Sequence, residues 1–195
     1  MPLVESRVTD NWLGDIGSSM DSAMTAHGIR CLGDQDEGAL CRLMLSLEPS
    51  TRCSRFGQAA SDAALANHAK CALANADWIV GAFLEDRLRG VVEIYSDDPG
   101  GRAEAAFVVE REWRRQGLGW ALLRAAMQVA ADAETKALRM IFSRHNWGMR
   151  KLAAKAGGRL DVILGEIVVD VALDEGADQH GMRQRSDDGC ERCSA

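Results

Sequence analysis

Between Phe107 and Leu123 the chain reads F-V-V-E-R-E-W-R-R-Q-G-L-G-W-A-L-L. An apolar segment of strand type passes through a charged loop into an amphipathic helical run. The first residues of a helix carry backbone N–H groups that no carbonyl of the helix accepts, and the aligned peptide dipoles make that end locally positive. Gly117 and Gly119 remove side chains that would keep an anion from this backbone, and Arg114 and Arg115 add charge beside it. A pyrophosphate satisfies these features together. A tight strand-to-helix turn with solvated arginines also satisfies them, because a short glycine motif is weak evidence alone. A dinucleotide-binding turn fits poorly, since the order is R-x-x-G-x-G and not G-x-G-x-x-G.

A second candidate is Glu104, in R-A-E-A-A-F-V-V. It is a lone acid in an apolar run and, by the two-residue period of a strand, faces away from Phe107. Burial would raise its pKa toward a range useful for taking a proton from an ammonium. A strand-end glutamate paired with a surface arginine is the alternative. Asn146, ahead of another helical run, suits an N-cap. Tyr95, the single tyrosine, and His145 are left out of the catalytic set.

Several elements must position these residues. A short strand at Gly28–Leu32 precedes a helix over Glu37–Leu47, where Leu40, Leu43, Met44 and Leu47 recur at helical spacing, with Pro49 ending it. A second helix over Ser61–Ala74 carries Ala64, Leu65, His68 and Cys71 along one side. The period then changes to that of strands: Asp77–Glu85, Leu88–Ser96 and Arg102–Val109, with turns at Glu85–Asp86 and Asp97–Gly101, read as an antiparallel meander. Helix Gly117–Ala133, strand Ala137–Arg144, helix Trp147–Ala156 and strands Leu160–Ile163 and Ile167–Leu173 complete the order βααβββαβαββ. Residues 1–27 read as an arm with a weak helical pattern around Trp12–Met24, 28–174 as one domain, and 175–195 as a polar, glycine-rich tail.

Composition narrows the function. The formal net charge of −6 argues against broad nucleic-acid binding, which needs a basic surface. The longest apolar run, Trp78–Leu84, is far short of a membrane helix, and the acidic N-terminus lacks the layout of a secretory signal, so the expected location is the cytoplasm. Six cysteines form no even framework. Cys190-Glu-Arg-Cys193 stands without a second pair, so no metal site is expected, a structural zinc needing four ligands.

R-R-Q-G-L-G resembles the pyrophosphate-binding motif of the GCN5-related N-acetyltransferases (GNAT), with Arg114, Gly117 and Gly119 at its defining positions. The resemblance spans roughly residues 28–173, because the element order is also similar to that family's mixed α/β (α+β) fold, a largely antiparallel central sheet flanked by helices. P-S-T-R-C-S-R-F, from Pro49 to Phe56, and N-W-G-M-R-K-L-A-A-K-A-G, from Asn146 to Gly157, look like stretches of the bacterial protein lysine acetyltransferases related to Pat. Cys53 stands where that branch has tyrosine, and Gly158 where phenylalanine normally follows.

The resemblance implies an N-acetyltransferase with acetyl-CoA as donor. Phe107, Val108 and Val109 would then offer backbone groups to the pantetheine arm, the amides of Arg115, Gln116, Gly117, Leu118, Gly119 and Trp120 would hold the phosphates with Arg114 nearby, and Asn146 would lie near the pantetheine. Glu104 would act as base. The acceptor is an amine, a protein lysine by resemblance or else a small molecule. An acyl-CoA sensor without turnover is the non-enzymatic alternative, and the assembly is left open between monomer and homodimer.

Overall fold

The computed structural model describes residues 28–98 and 101–173. The arm around Trp12–Met24, the tail and the Cys190–Cys193 pair lie outside the described residues. Seven strands form one sheet in the order β1-β2-β3-β4-β5-β7-β6: β1 Gly28–Cys31, β2 Trp78–Leu84, β3 Arg87–Asp98, β4 Arg102–Val109, β5 Ala137–Ser143, β6 Arg159–Ile163 and β7 Glu166–Ala172. Every pair is antiparallel except β4–β5, which is parallel. The predicted meander is β2-β3-β4, and its first turn is built from Glu85 and Asp86, both at positive φ (51° and 56°).

Among the described residues five α-helices accompany the sheet: α1 Glu37–Leu45, α2 Pro49–Phe56, α3 Asp62–Asn75, α4 Leu118–Asp132 and α5 Trp147–Lys155. Period-two alternation sorts the strand residues onto two faces. On one, Val92, Ile94, Ala103, Ala105, Leu138, Met140 and Val169 pack with Leu118, Leu122 and Leu123 of α4 and Ala153 of α5. On the other, Ile79, Leu88, Val91 and Val108 meet Leu40, Leu43 and Met44 of α1 and Leu65, Ala69 and Ala72 of α3. The two faces put helices on both sides of a mixed sheet, as expected.

Two helices differ from expectation. Pro49 does not only follow a helix; it opens α2 at its first position, where a missing N–H is no loss, and Gly57 closes it at φ 71°. In α3 the buried side is Leu65, Ala69 and Ala72, while Ala64 and Cys71 are exposed. Alanines at 69 and 72 permit close approach to α1, which rotates the helix away from the predicted stripe. The glycine at 158 also has a reason: a Cβ there would collide with the Val169 side chain and come within 3.1 Å of Val171 Cγ2 and 3.2 Å of the Ala153 carbonyl. The chain passes under β7 too closely for any side chain, let alone phenylalanine.

Candidate active site

The site begins with a gap in the sheet. β4 and β5 pair only at Arg102–Ala137, Ala103–Leu138 and Glu104–Arg139, although both strands run on for several residues. Beyond Glu104 the two diverge. The Glu110 amide donates to the Arg89 carbonyl at 2.9 Å, which fixes the phase of the β3–β4 ladder. In an antiparallel pair bonded and non-bonded positions alternate, so Glu104, Ala106 and Val108 turn their backbone groups to β3, and Ala105, Phe107 and Val109 turn theirs into the gap. Of the three residues expected to offer backbone groups to a pantetheine, Phe107 and Val109 turn theirs into the gap, while Val108 bonds within the sheet and its side chain is core. The Val109 carbonyl is already taken by Arg114 Nε at 2.9 Å, leaving its amide.

At the mouth of this gap lies the glycine turn. Arg115 (φ 61°) and Gly117 (φ 90°) both hold left-handed backbone, a conformation unfavourable for arginine and natural for glycine. The amides of Trp120 and Ala121 bond to the Gly117 carbonyl at 3.0 Å each, so Trp120 is drawn into the helix. Those of Arg115, Gln116, Gly117, Leu118 and Gly119 make no backbone hydrogen bond of good geometry among the described residues. A Cβ on Gly117 would meet nothing within 4 Å, and one on Gly119 only Leu152 Cδ2 at 4.0 Å. The turn is open at both glycines and carries free donors at the start of a 15-residue helix.

The arginines divide their work. Arg114 faces back: besides Val109 it donates to Thr51 Oγ1 at 2.8 Å and lies 3.6 Å from Glu48. Arg111 pairs with Glu48 at 2.8 Å. Arg115 is exposed and has no side-chain partner among the described residues. Gln116 braces the turn by donating to the Glu112 carbonyl at 2.6 Å. The side chains of Arg114 and Gln116 therefore shape the loop, and Arg115 is its available cation. Asn146 caps α5, its side-chain oxygen accepting from the Met149 amide at 3.1 Å.

Glu104 sits at the last paired position before the gap. It is half-buried, not enclosed, and accepts no hydrogen bond from the described residues. Arg139, its neighbour on β5, is committed to Asp170 by two bonds of 2.7 Å. The same face carries a group the sequence reading passed over. Glu93 is 0% exposed, with Arg55 Nη2 at 2.6 Å, His68 Nε2 at 2.9 Å and Tyr95 Oη at 3.2 Å. Burial alone would push its pKa up, but the His68 hydrogen bond and the Arg55 charge outweigh this and hold it below the usual carboxylate range. The signal was present in G-V-V-E-I-Y, an acid in an apolar run like Glu104. Arg55, in the P-S-T-R-C-S-R-F stretch, is thereby explained.

A helix start with free amides, a strand pair that parts beside it and an unpaired carboxylate at the vertex lie together, an arrangement chemically suited to an acyl donor with a phosphate-bearing carrier. Comparison with known proteins agrees. Residues 43–157 match the family described as "Acetyltransferase (GNAT) family", and the chain belongs to it. It is by that membership an N-acetyltransferase using acetyl-CoA. Among solved structures, the GNAT domain of S. lividans PAT is 17% identical, with TM-score 0.65, covering 74% of this chain and 89% of that one. PaiA N-acetyltransferase from Thermoplasma acidophilum, solved with coenzyme A, is 17% identical, with TM-score 0.59 and 75% and 98% coverage. The ribosomal-protein-S5-alanine acetyltransferase from Vibrio fischeri is 11% identical, with TM-score 0.61 and 77% and 94% coverage. A search of curated proteins finds no match. No helix among the described residues is long and apolar enough to cross a membrane.

Proposed function

We propose that this chain acetylates a primary amine, with Glu104 as the base and a protein lysine as the favoured acceptor. The observation that carries the reading is the end of β4–β5 pairing at Glu104–Arg139, which puts an unpaired carboxylate at the inner end of a gap whose outer end is the anion cradle. The donor supplies an acetyl group activated as a thioester. The amides of Arg115 to Gly119 and the Arg115 side chain hold its phosphates, and the free groups of Phe107 and the Val109 amide align its arm. Glu104 takes a proton from the incoming ammonium, directly or through water, and frees the nitrogen lone pair. A departing thiol of pKa near 8.5 needs little help, so no acid is assigned.

The lysine preference rests on the likeness of Pro49–Phe56 and Asn146–Gly157 to the Pat-related branch and on the S. lividans PAT domain among the structural neighbours. Residues 28–174 are proposed as the catalytic domain, acting in the cytoplasm with 1–27 and 175–195 as arm and tail.

The test is thiol release from acetyl-CoA against a panel of amines and lysine-bearing proteins, beside calorimetry with coenzyme A. Gly119→Asp places a carboxylate in open space within the cradle and is expected to weaken donor binding at least tenfold; Glu104→Gln is expected to bind the donor normally and lose at least a hundredfold in kcat. Donor bound without turnover of any amine would favour the sensor, and full activity in Glu104→Gln would remove the base.

A further inference from the structure

Glu104 has one neighbour to which the reaction as proposed gives no part. Tyr95 stands directly opposite it across the β3–β4 pair, at the vertex of the gap. Such opposed residues place their Cβ atoms about 4.5–5.5 Å apart on one face. Tyr95 is half-buried, and its hydroxyl donates to Glu93 Oε2 at 3.2 Å. Behind it, Glu93 is anchored by Arg55 on the same oxygen and by His68 on the other.

This arrangement dictates which way the phenol faces. A charged Glu93 can only accept, so the single hydroxyl proton of Tyr95 is committed to it. Burial, and then the charge of Glu93, hold that proton on the phenol well above its ordinary range. What remains available on the oxygen is lone-pair capacity. Glu104 beside it is a second acceptor without a donor among the described residues. The vertex thus presents two hydrogen-bond acceptors and no donor from these two side chains. An ammonium brings three N–H donors, whereas a hydroxyl brings one.

We propose that Tyr95 is an acceptor-binding residue: its oxygen and the Glu104 carboxylate receive the N–H groups of the incoming amine, and Glu93, with Arg55 and His68, is the positioning group that keeps the hydroxyl facing this way. The proposal rests on the N-acetyltransferase reading and extends it to acceptor selection. An amine fills both acceptors; an alcohol leaves one desolvated and unfilled, which disfavours transfer to oxygen.

The test compares the full chain with Tyr95→Phe, which keeps the ring, using spermidine and Nα-acetyl-lysine methyl ester as amine probes. The amine KM is expected to rise about ten- to a hundredfold, the loss of one hydrogen bond to a charged group. The acetyl-CoA KM is expected to stay nearly unchanged and the melting temperature to fall only by the few degrees that the lost bond to buried Glu93 costs; a raised amine KM beside intact donor binding is the pattern of lost acceptor binding. An unchanged amine KM overturns the proposal. A second measurement needs no turnover: with one tyrosine in the chain, the 295 nm absorbance of wild type minus Tyr95→Phe follows this phenol alone. Little tyrosinate is expected at about pH 10.5, where an ordinary phenol of pKa about 10 is mostly ionised; ordinary ionisation there overturns the committed proton. Turnover of neither amine by wild type counts against the reaction itself, and is separable because the absorbance reports Tyr95 regardless.

Discussion

Glu93 and Glu104 share a face of the sheet and stand on neighbouring strands, yet one is sealed against Arg55, His68 and Tyr95 and the other is free. Their sequence settings are nearly alike, an acid flanked by apolar residues. What separates them is tertiary: Arg55 lies 38 residues and His68 25 residues from Glu93, on helices that only the fold brings over β3. A single sequence marks the acid and cannot mark its partner. The separation has a measurable sign. Because its folded pKa is depressed, Glu93 contributes stability that is fully present above its unfolded pKa of about 4.3 and is lost as pH falls through the lower folded value. The melting temperature of wild type is expected to drop below about pH 4.5, and that of Glu93→Gln to respond less steeply there. At neutral pH the same variant strands the Arg55 charge and is expected to lose about 3–5 kcal/mol by urea unfolding. A loss under 1 kcal/mol would mean that the buried pair matters little to the fold.

Among the elements, strands and helices with a clean period were legible. The α4 stripe, the β2-β3-β4 meander and the start of α5 all follow from spacing and turn chemistry, and the open turn before α4 from two glycines. Helix α2 was not legible, because none of its residues is buried and no apolar stripe announces it. It is held from outside its own pattern. Arg52 donates to the Leu47, Leu45 and Ala60 carbonyls at 2.8, 2.9 and 3.2 Å and to Asp62 at 2.6 Å, tying the end of α1 to the start of α3. Arg114 reaches Thr51 in the same helix, so this clasp also supports the glycine turn. Arg52→Ala leaves several carbonyls without a donor and is expected to cost about 1–3 kcal/mol of stability in urea. Its effect on coenzyme A affinity, read by calorimetry, is expected to be small beside that of Gly119→Asp, since Arg114 keeps its bond to the Val109 carbonyl.

For the whole molecule, the decisive feature is a seam in the sheet, where β1 to β4 join β5-β7-β6 through three residue pairs. The point at which β4 and β5 part was not readable from residue spacing, because the helical crossover fixes the direction of pairing and not its length. The gap predicts a residue-resolved pattern of hydrogen exchange: added coenzyme A is expected to slow the amides of Phe107 and Val109 and leave that of Val108, already bonded to β3, unchanged. Equal slowing of all three would contradict the assigned phase. The donor then completes the folded state as well as feeding the reaction. At a hundred times its dissociation constant it would add about 2.7 kcal/mol to stability, a large share of what a small domain has. A cell short of acetyl-CoA would expose this seam to proteases, so the amount of the enzyme would itself follow the supply of its donor.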